Sequence, residues 1–232
     1  MAKFSLFGPR GPARMAEEDA VVVIGLGRFG SSLAIELMAS GTEVLGIDAD
    51  EDVVQAHNGL LTHVVRADST KEETLRQLSV PDFNSVVVAI GGDIQANILT
   101  ASLLLKMGVP NIWAKAVSEP HGEILEQLGV PHVVRPEKDM GKRVAHLVRG
   151  VMQDYIEIGE NFALVKMSPP QELVGVPLSQ TGVRAAHSVT VTAFHRPDSG
   201  WTYATAETVL EEGDTILVAG EPKRVEAFSL LR

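Results

Sequence analysis

Gly25-Leu26-Gly27-Arg28-Phe29-Gly30 is the segment of this 232-residue chain whose residue types and spacing carry the plainest chemistry. It directly follows the apolar run Val21-Val22-Val23-Ile24 and opens a helical pattern, so G-x-G-x-x-G stands in its full strand-turn-helix context. Gly25 permits a tight turn, Gly27 lets the backbone approach a phosphate, and Gly30 allows close helix-to-strand packing. The helix N-terminus adds partial positive charge to hold the anion. Asp48 ends the second apolar run, where its carboxylate would accept hydrogen bonds from ribose hydroxyls. That carboxylate would repel a 2′-phosphate, and Ala49-Asp50 supply no arginine to receive one, so NADP is the nucleotide that fits least.

Arg28 departs from a plain dinucleotide fingerprint by placing a guanidinium at the phosphate end. A cation beside the positive end of a helix is unfavourable unless an anion sits nearby. Asp68-Ser69-Thr70 follows the third apolar run and Gly91-Gly92-Asp93 the fourth, where loops at the carboxyl ends of a parallel sheet line a ligand crevice. Asp68 suits an adenine amine, and helix capping by Asp68, Ser69 or Thr70 ahead of Lys71-Glu72-Glu73 suits the residues equally. Lys115, ending the fifth run, is within reach of phosphate on one reading and a surface lysine on another.

The elements that must position these residues alternate from Ala20 onward. Apolar runs at 21–24, 44–47, 63–65, 86–90 and 112–114 are separated by helical segments near 28–40, 50–58, 71–79, 93–107 and 119–128. Continuous apolar strands imply burial on both faces, and the crossovers demand a doubly wound parallel sheet. Gly41, Gly108-Val109-Pro110 and Gly129-Val130-Pro131 each close a helix and lead into a strand. A further helix over 138–152 sets Met140, Val144, Leu147, Val148 and Val151 on one face, for burial against the sheet or against a second subunit. After Gly150 the strands near 162–167, 188–195 and 214–219, with a last helix over 222–230, make a small α+β unit. The expected organisation is a flexible tail over 1–19, a Rossmann-like domain over 20–150 and a regulatory domain over 151–232.

Composition narrows the function. The 20 Lys+Arg against 30 Asp+Glu leave a formal charge of −10, and basic residues do not cluster, which disfavours nucleic acid. No cysteine is present, so thiolate chemistry is excluded. The first nineteen residues lack the apolar core of a secretion signal, which favours a cytoplasmic protein. The seven histidines, at 57, 63, 121, 132, 146, 187 and 195, show no short metal-ligand spacing. A hydride-transfer enzyme would need an acid/base beside the nicotinamide, and the second unit offers no such constellation, which favours a binding protein over an enzyme.

Four segments in order then carry a resemblance: G-L-G-R-F-G at 25–30, V-V-V-A-I-G-G-D-I-Q-A at 86–96, P-N-I-W-A-K-A at 110–116 and P-E-K-D-M-G at 136–141. Over nearly all of its length after residue 19 the chain resembles KtrA-type regulatory subunits of bacterial Ktr/Trk potassium uptake systems, built from RCK (KTN) domains. The resemblance implies a nucleotide-gated homo-oligomer, dimers assembled into an octameric ring, docked on the cytoplasmic face of a KtrB/TrkH-like potassium-translocating membrane subunit. ATP and ADP would favour different ring shapes. Arg28 matches an arginine that reaches the terminal phosphate of a neighbouring subunit's nucleotide, and Asp48 the ribose carboxylate. The nucleotide set implied is Gly25, Gly27, Arg28, Phe29, Gly30, Asp48, Asp68, Ser69, Ile90, Gly91 and Lys115. Glu137 matches an acidic position that ligates Mg²⁺ or another cation near the phosphates. Arg184 matches a contact to cyclic di-AMP across a dimer of the C-terminal domain, while Ser179 and Gly182 depart from the acidic and apolar neighbours of that pattern. The alternatives are an NAD(H)-responsive Trk-type regulator and, from another class, a small NAD-dependent oxidoreductase.

Overall fold

The computed structural model describes residues 20–148 and 151–231. The expected tail over 1–19 lies outside the described residues, as does Gly150. The described chain forms two compact units that divide between Glu137 and Lys138.

The first unit runs β1 (Val21–Ile24), α1 (Arg28–Ala39), β2 (Val44–Asp48), α2 (Glu51–His57), β3 (His63–Arg66) and α3 (Glu72–Gln77). A 3-10 turn at Val80–Asp82 leads to β4 (Ser85–Val88), α4 (Ile94–Lys106), β5 (Asn111–Lys115), α5 (Glu119–Gln127) and β6 (His132–Val134). The strands are all parallel in the order β3-β2-β1-β4-β5-β6. Continuous apolar strands follow from burial on both faces. Val22, Ile24, Val86, Val88, Ile112 and Ala114 pack with Leu75, Leu104 and Leu125. Val23, Val87 and Ala89 pack on the opposite face with Leu26, Ala34 and Leu61. The strand order switches from one side of β1 to the other between β1 and β4, which run parallel, so the crevice of a doubly wound sheet opens at the carboxyl ends of those two strands. On β5 the Trp113 ring stacks on His132 of β6 with centroids 4.1 Å apart.

The helix expected over 138–152 is α6 (Pro136–Val148), and β7 (Met152–Glu157) begins where that helix was to end. No α6 residue is buried; Met140, Val144 and Val148 are exposed, and Leu147 alone packs, half-buried, on the second core. Its polar residues tie it into the second unit. Arg143 pairs with both carboxylate oxygens of Asp154 at 2.7 and 2.8 Å, and His146 stacks on Tyr155 at 3.9 Å. The compact units therefore divide thirteen residues before the boundary expected at 150.

The second unit continues through β8 (Ala163–Met167), α7 (Leu178–Thr181), α8 (Val183–His187), β9 (Val189–Arg196), β10 (Gly200–Tyr203), β11 (Thr215–Gly220) and α9 (Pro222–Ser229). Its sheet is antiparallel in the order β10-β9-β11-β8-β7. Val165, Met167, Ile216 and Val218 face Val225 and Phe228 of α9, the alternation expected of strands buried on one face. Asp214, nearly fully buried, is held by Arg196 at 2.8 Å. At the hairpin of β9 and β10, Trp201 meets His195 edge-on, 5.3 Å between centroids. Among the described residues no helix is long and apolar enough to cross a membrane.

Candidate functional site

A cleft of about 530 Å³ opens at the carboxyl ends of β1, β2, β3 and β4, where the sheet topology places it. Gly25 and Gly27 line it from the first turn, Asp48 from the end of β2, Asp68 and Ser69 from the loop after β3, and Ile90 and Gly91 from the loop after β4.

The glycine turn has three different physical reasons for its three glycines. Gly25 takes φ +91, and a Cβ there would lie 2.9 Å from the Ile90 nitrogen. A Cβ on Gly30 would fall 1.9 Å from the Gly25 carbonyl oxygen and 3.0 Å from Ala89 Cβ, so α1 packs against the β1 turn and β4 without room for a side chain. Gly27 is the N-cap of α1, and nothing lies within 4 Å of where its Cβ would be. No side chain caps α1 and its first turn holds no acidic residue, so its leading N–H groups face open space beside Gly27. That is a cradle for an anion.

Asp48 is fixed by two backbone donors: the Leu26 N–H to Oδ2 at 2.6 Å and the Asp50 N–H to Oδ1 at 2.9 Å. A carboxylate has about four lone-pair sites, so each oxygen keeps capacity for a hydroxyl. Asp68 accepts from the Thr70 hydroxyl at 2.6 Å and the Thr70 N–H at 3.0 Å. These bonds, then Lys71, hold its carboxyl below the ordinary range. The helix-capping alternative is not what these residues do: the N-cap of α3 is Lys71, and no side chain caps that helix. Ser69 is buried and shares a hydrogen bond with Thr100 of α4 at 2.9 Å.

Arg28 is exposed on the first turn of α1 and makes no hydrogen bond or ion pair among the described residues. Lys115 is neither a free surface lysine nor part of the cleft lining. It is buried, and its ammonium donates to Glu137 Oε1 at 2.6 Å and stands 5.7 Å from the Phe29 ring centroid. That bond, then the backbone N–H of Glu137, then the charges of Lys115 and Arg28, hold the Glu137 carboxyl below its usual range. Lys115 thus joins Glu137 to the Phe29 ring, and the Arg28 charge is felt at Glu137 as well. Among the described residues no group of three or more His, Asp or Glu side chains converges on a metal position, so this chain alone offers one carboxylate there.

Sequence reasoning missed the Lys115–Glu137 pair, because nothing in residues 22 positions apart signals a contact. It also passed over Asn97, a fully buried amide on α4 that donates to the backbone carbonyls of Ile90 and Lys115. Its signal was a polar residue at i of the apolar set Asn97, Ala101, Leu104, all buried. Arg184 belongs to the second unit. It lines a 420 Å³ cavity of the second unit with Ser179, Gly182 and Thr190.

The TrkA-N domain family matches residues 21–136 and the TrkA-C domain family residues 162–231. The chain is 37% identical over 207 residues to Ktr system potassium uptake protein C of Bacillus subtilis, covering 89% of this chain and 94% of that one. It is 35% identical to Ktr system potassium uptake protein A of the same organism, covering 89% and 93%. Among solved structures, the GsuK RCK domain aligns with TM-score 0.63 at 18% identity, over 91% of this chain and 47% of that one. The GsuK channel bound to NAD aligns with TM-score 0.64 at 18% identity, over 91% and 39%. The chain therefore spans less than half of the GsuK chains, and that likeness carries the fold alone.

Proposed function

Since the chain belongs to the KtrA-type family of potassium uptake regulatory subunits, with a TrkA-N and a TrkA-C domain, we propose that it is a nucleotide-sensing subunit that gates potassium uptake by a membrane partner. The observation that carries the nucleotide reading is the open, uncapped N-terminus of α1 beside Gly27, with Arg28, unpaired among the described residues, on its first turn and Asp48 lining the same cleft as Gly27. Without an anion, Arg28 is unfavourably placed on the positive end of a helix; a phosphate chain reverses the sign of that term.

In this reading ATP and ADP occupy the cleft, with Asp48 on the ribose and the α1 N-terminus on the phosphates. Arg28 reaches the terminal phosphate of a neighbouring subunit's nucleotide, so that ligand charge acts on subunit geometry. A ligand shifts a two-state ring only through its different affinity for the two shapes, and a γ-phosphate that engages Arg28 in one shape supplies that difference. Glu137 adds one carboxylate for Mg²⁺, the phosphates and a second copy supplying the rest. The protein is then cytoplasmic, a ring of dimers with eight copies in all, held at the membrane through a KtrB/TrkH-like subunit and not an enzyme. Parallel titration calorimetry of ATP, ADP, NADH and cyclic di-AMP, with and without Mg²⁺, tests it. Binding of ATP and ADP, with ATP strengthened by Mg²⁺, is the expected result, and absence of both overturns the reading.

A second reading, an NAD(H)-responsive regulator, is favoured by Asp48, whose free lone pairs suit the adenosine ribose of NAD as well as that of ATP. Preference for NADH in the same titration selects it. Cyclic di-AMP binding that Arg184→Ala abolishes would assign the second cavity.

A further inference from the structure

Helix α4 packs its buried face against the sheet with Asn97, Thr100, Ala101 and Leu104, all fully buried. An apolar side chain at 97 would continue the face. An asparagine there costs stability, since its Oδ1 is buried with no hydrogen-bond partner among the described residues. What the amide does instead is hold loops: Nδ2 donates to the Ile90 carbonyl at 2.8 Å and to the Lys115 carbonyl at 3.1 Å. The neighbouring Thr100 bonds Ser69 at 2.9 Å, so each buried polar group of this helix face reaches a segment at the rim of the site.

The bond to Ile90 has a geometric consequence for Gly91. No peptide bond in the described chain is cis, and in a planar trans peptide the N–H points opposite to the preceding carbonyl. Drawing the Ile90 carbonyl toward Asn97 turns the Gly91 N–H the opposite way, in a loop whose Ile90, Gly91 and Gly92 line the cleft. No acceptor among the described residues takes that N–H. The same loop abuts the phosphate turn, since a Cβ on Gly25 would touch the Ile90 nitrogen at 2.9 Å.

Resting on the nucleotide reading above, we propose that Asn97 is a positioning residue of this site: by holding the Ile90 carbonyl, it aims the Gly91 N–H at an oxygen of the bound nucleotide's phosphate–ribose chain. Its second bond fixes the end of β5, from which Lys115 reaches Glu137.

The test uses the full chain, ADP as the probe, calorimetry for affinity and residue-resolved hydrogen exchange for the Gly91 amide. In the wild type ADP should slow Gly91 exchange. Asn97→Leu keeps the branching and heavy-atom count and removes both donors; ADP binding should weaken about tenfold, the worth of one charge-assisted hydrogen bond, and the Gly91 response should vanish. A merely structural Asn97 would lower the thermal midpoint and leave the Gly91 response intact. Wild-type ADP affinity in folded Asn97→Leu overturns the inference. So does unchanged Gly91 exchange in a wild type that binds ADP, whether or not the variant folds. A wild type that binds neither ADP nor NADH overturns the nucleotide reading and the inference with it.

Discussion

Gly27 and Gly30 sit three residues apart in one turn, and a methyl group added to each should act on stability in different ways while weakening the same ligand. At Gly30 the new Cβ would lie 1.9 Å from the Gly25 carbonyl oxygen and 3.0 Å from Ala89 Cβ. A carbon–oxygen contact settles near 3.3 Å, so α1 must retreat by roughly 1.4 Å. Neither neighbour is a flexible side chain, so overpacking of this kind costs about 1–3 kcal/mol. The same retreat carries the leading N–H groups of α1 out of hydrogen-bonding distance of a phosphate, and losing two such bonds weakens ADP by about a hundredfold. At Gly27 the backbone is extended, φ −66 and ψ −171, and nothing lies within 4 Å of the new Cβ. Gly27→Ala should therefore hold or gain stability, by up to about 1 kcal/mol through the unfolded state. Its methyl occupies the approach path of the phosphate, and ADP affinity should fall by tenfold or more, on the order of one charge-assisted hydrogen bond. Urea unfolding and calorimetry with ADP read both quantities. Wild-type ADP affinity in Gly27→Ala refutes phosphate approach at that backbone, and wild-type stability in Gly30→Ala refutes the packing argument.

Arg28→Ala should weaken ATP more than ADP or NADH in the same calorimeter, since only the triphosphate carries the terminal group the arginine would meet; equal losses for all three count against that contact. Glu137→Gln should abolish any strengthening of ATP binding by Mg²⁺ while leaving ADP binding without metal near wild type, and persistence of the Mg²⁺ effect removes Glu137 from the cation site. In the second unit, the Arg196 guanidinium first, with the Glu211 N–H, holds the Asp214 carboxyl below its ordinary value of 3.8. A depressed carboxyl stabilises the fold above the unfolded-state value and loses that contribution as pH falls through the lower folded value. The stability gap between wild type and Asp214→Asn should thus be flat above pH 3.8 and close below it, and a gap that widens on acidification contradicts the assignment.

Gly25, Gly27, Gly30 and Asp48 were legible because each is tied to its neighbours by short-range geometry: a turn, a helix start and the end of the adjacent strand. The parallel sheet was legible for a similar reason, since strands buried on both faces cannot hide their continuous apolar runs. What escaped depends on partners distant in sequence. Lys115 reads as an ordinary strand-end lysine until Glu137 is beside it. The amphipathic stripe from Met140 ran on through Val151, so periodicity alone carried the helix past Val148 and over the start of β7. β10 is four residues after a tight turn, too short for its alternation to stand out. Asp68 read equally as an adenine contact and as a helix cap, while its preference for Thr70 over the helix ahead rests on loop geometry that composition does not encode.

The chain holds two tryptophans, and the fold assigns one to each unit: Trp113 against His132 in the parallel sheet, Trp201 against His195 in the antiparallel one. Intrinsic fluorescence is thereby divided by unit without any label. A Trp201→Phe chain keeps only the β5 tryptophan of the first unit and a Trp113→Phe chain only that of the C-terminal sheet, so two single substitutions turn one protein into separate optical thermometers for its halves. Whether the halves melt together or in sequence, and which one ligand protects, becomes a matter of comparing two curves.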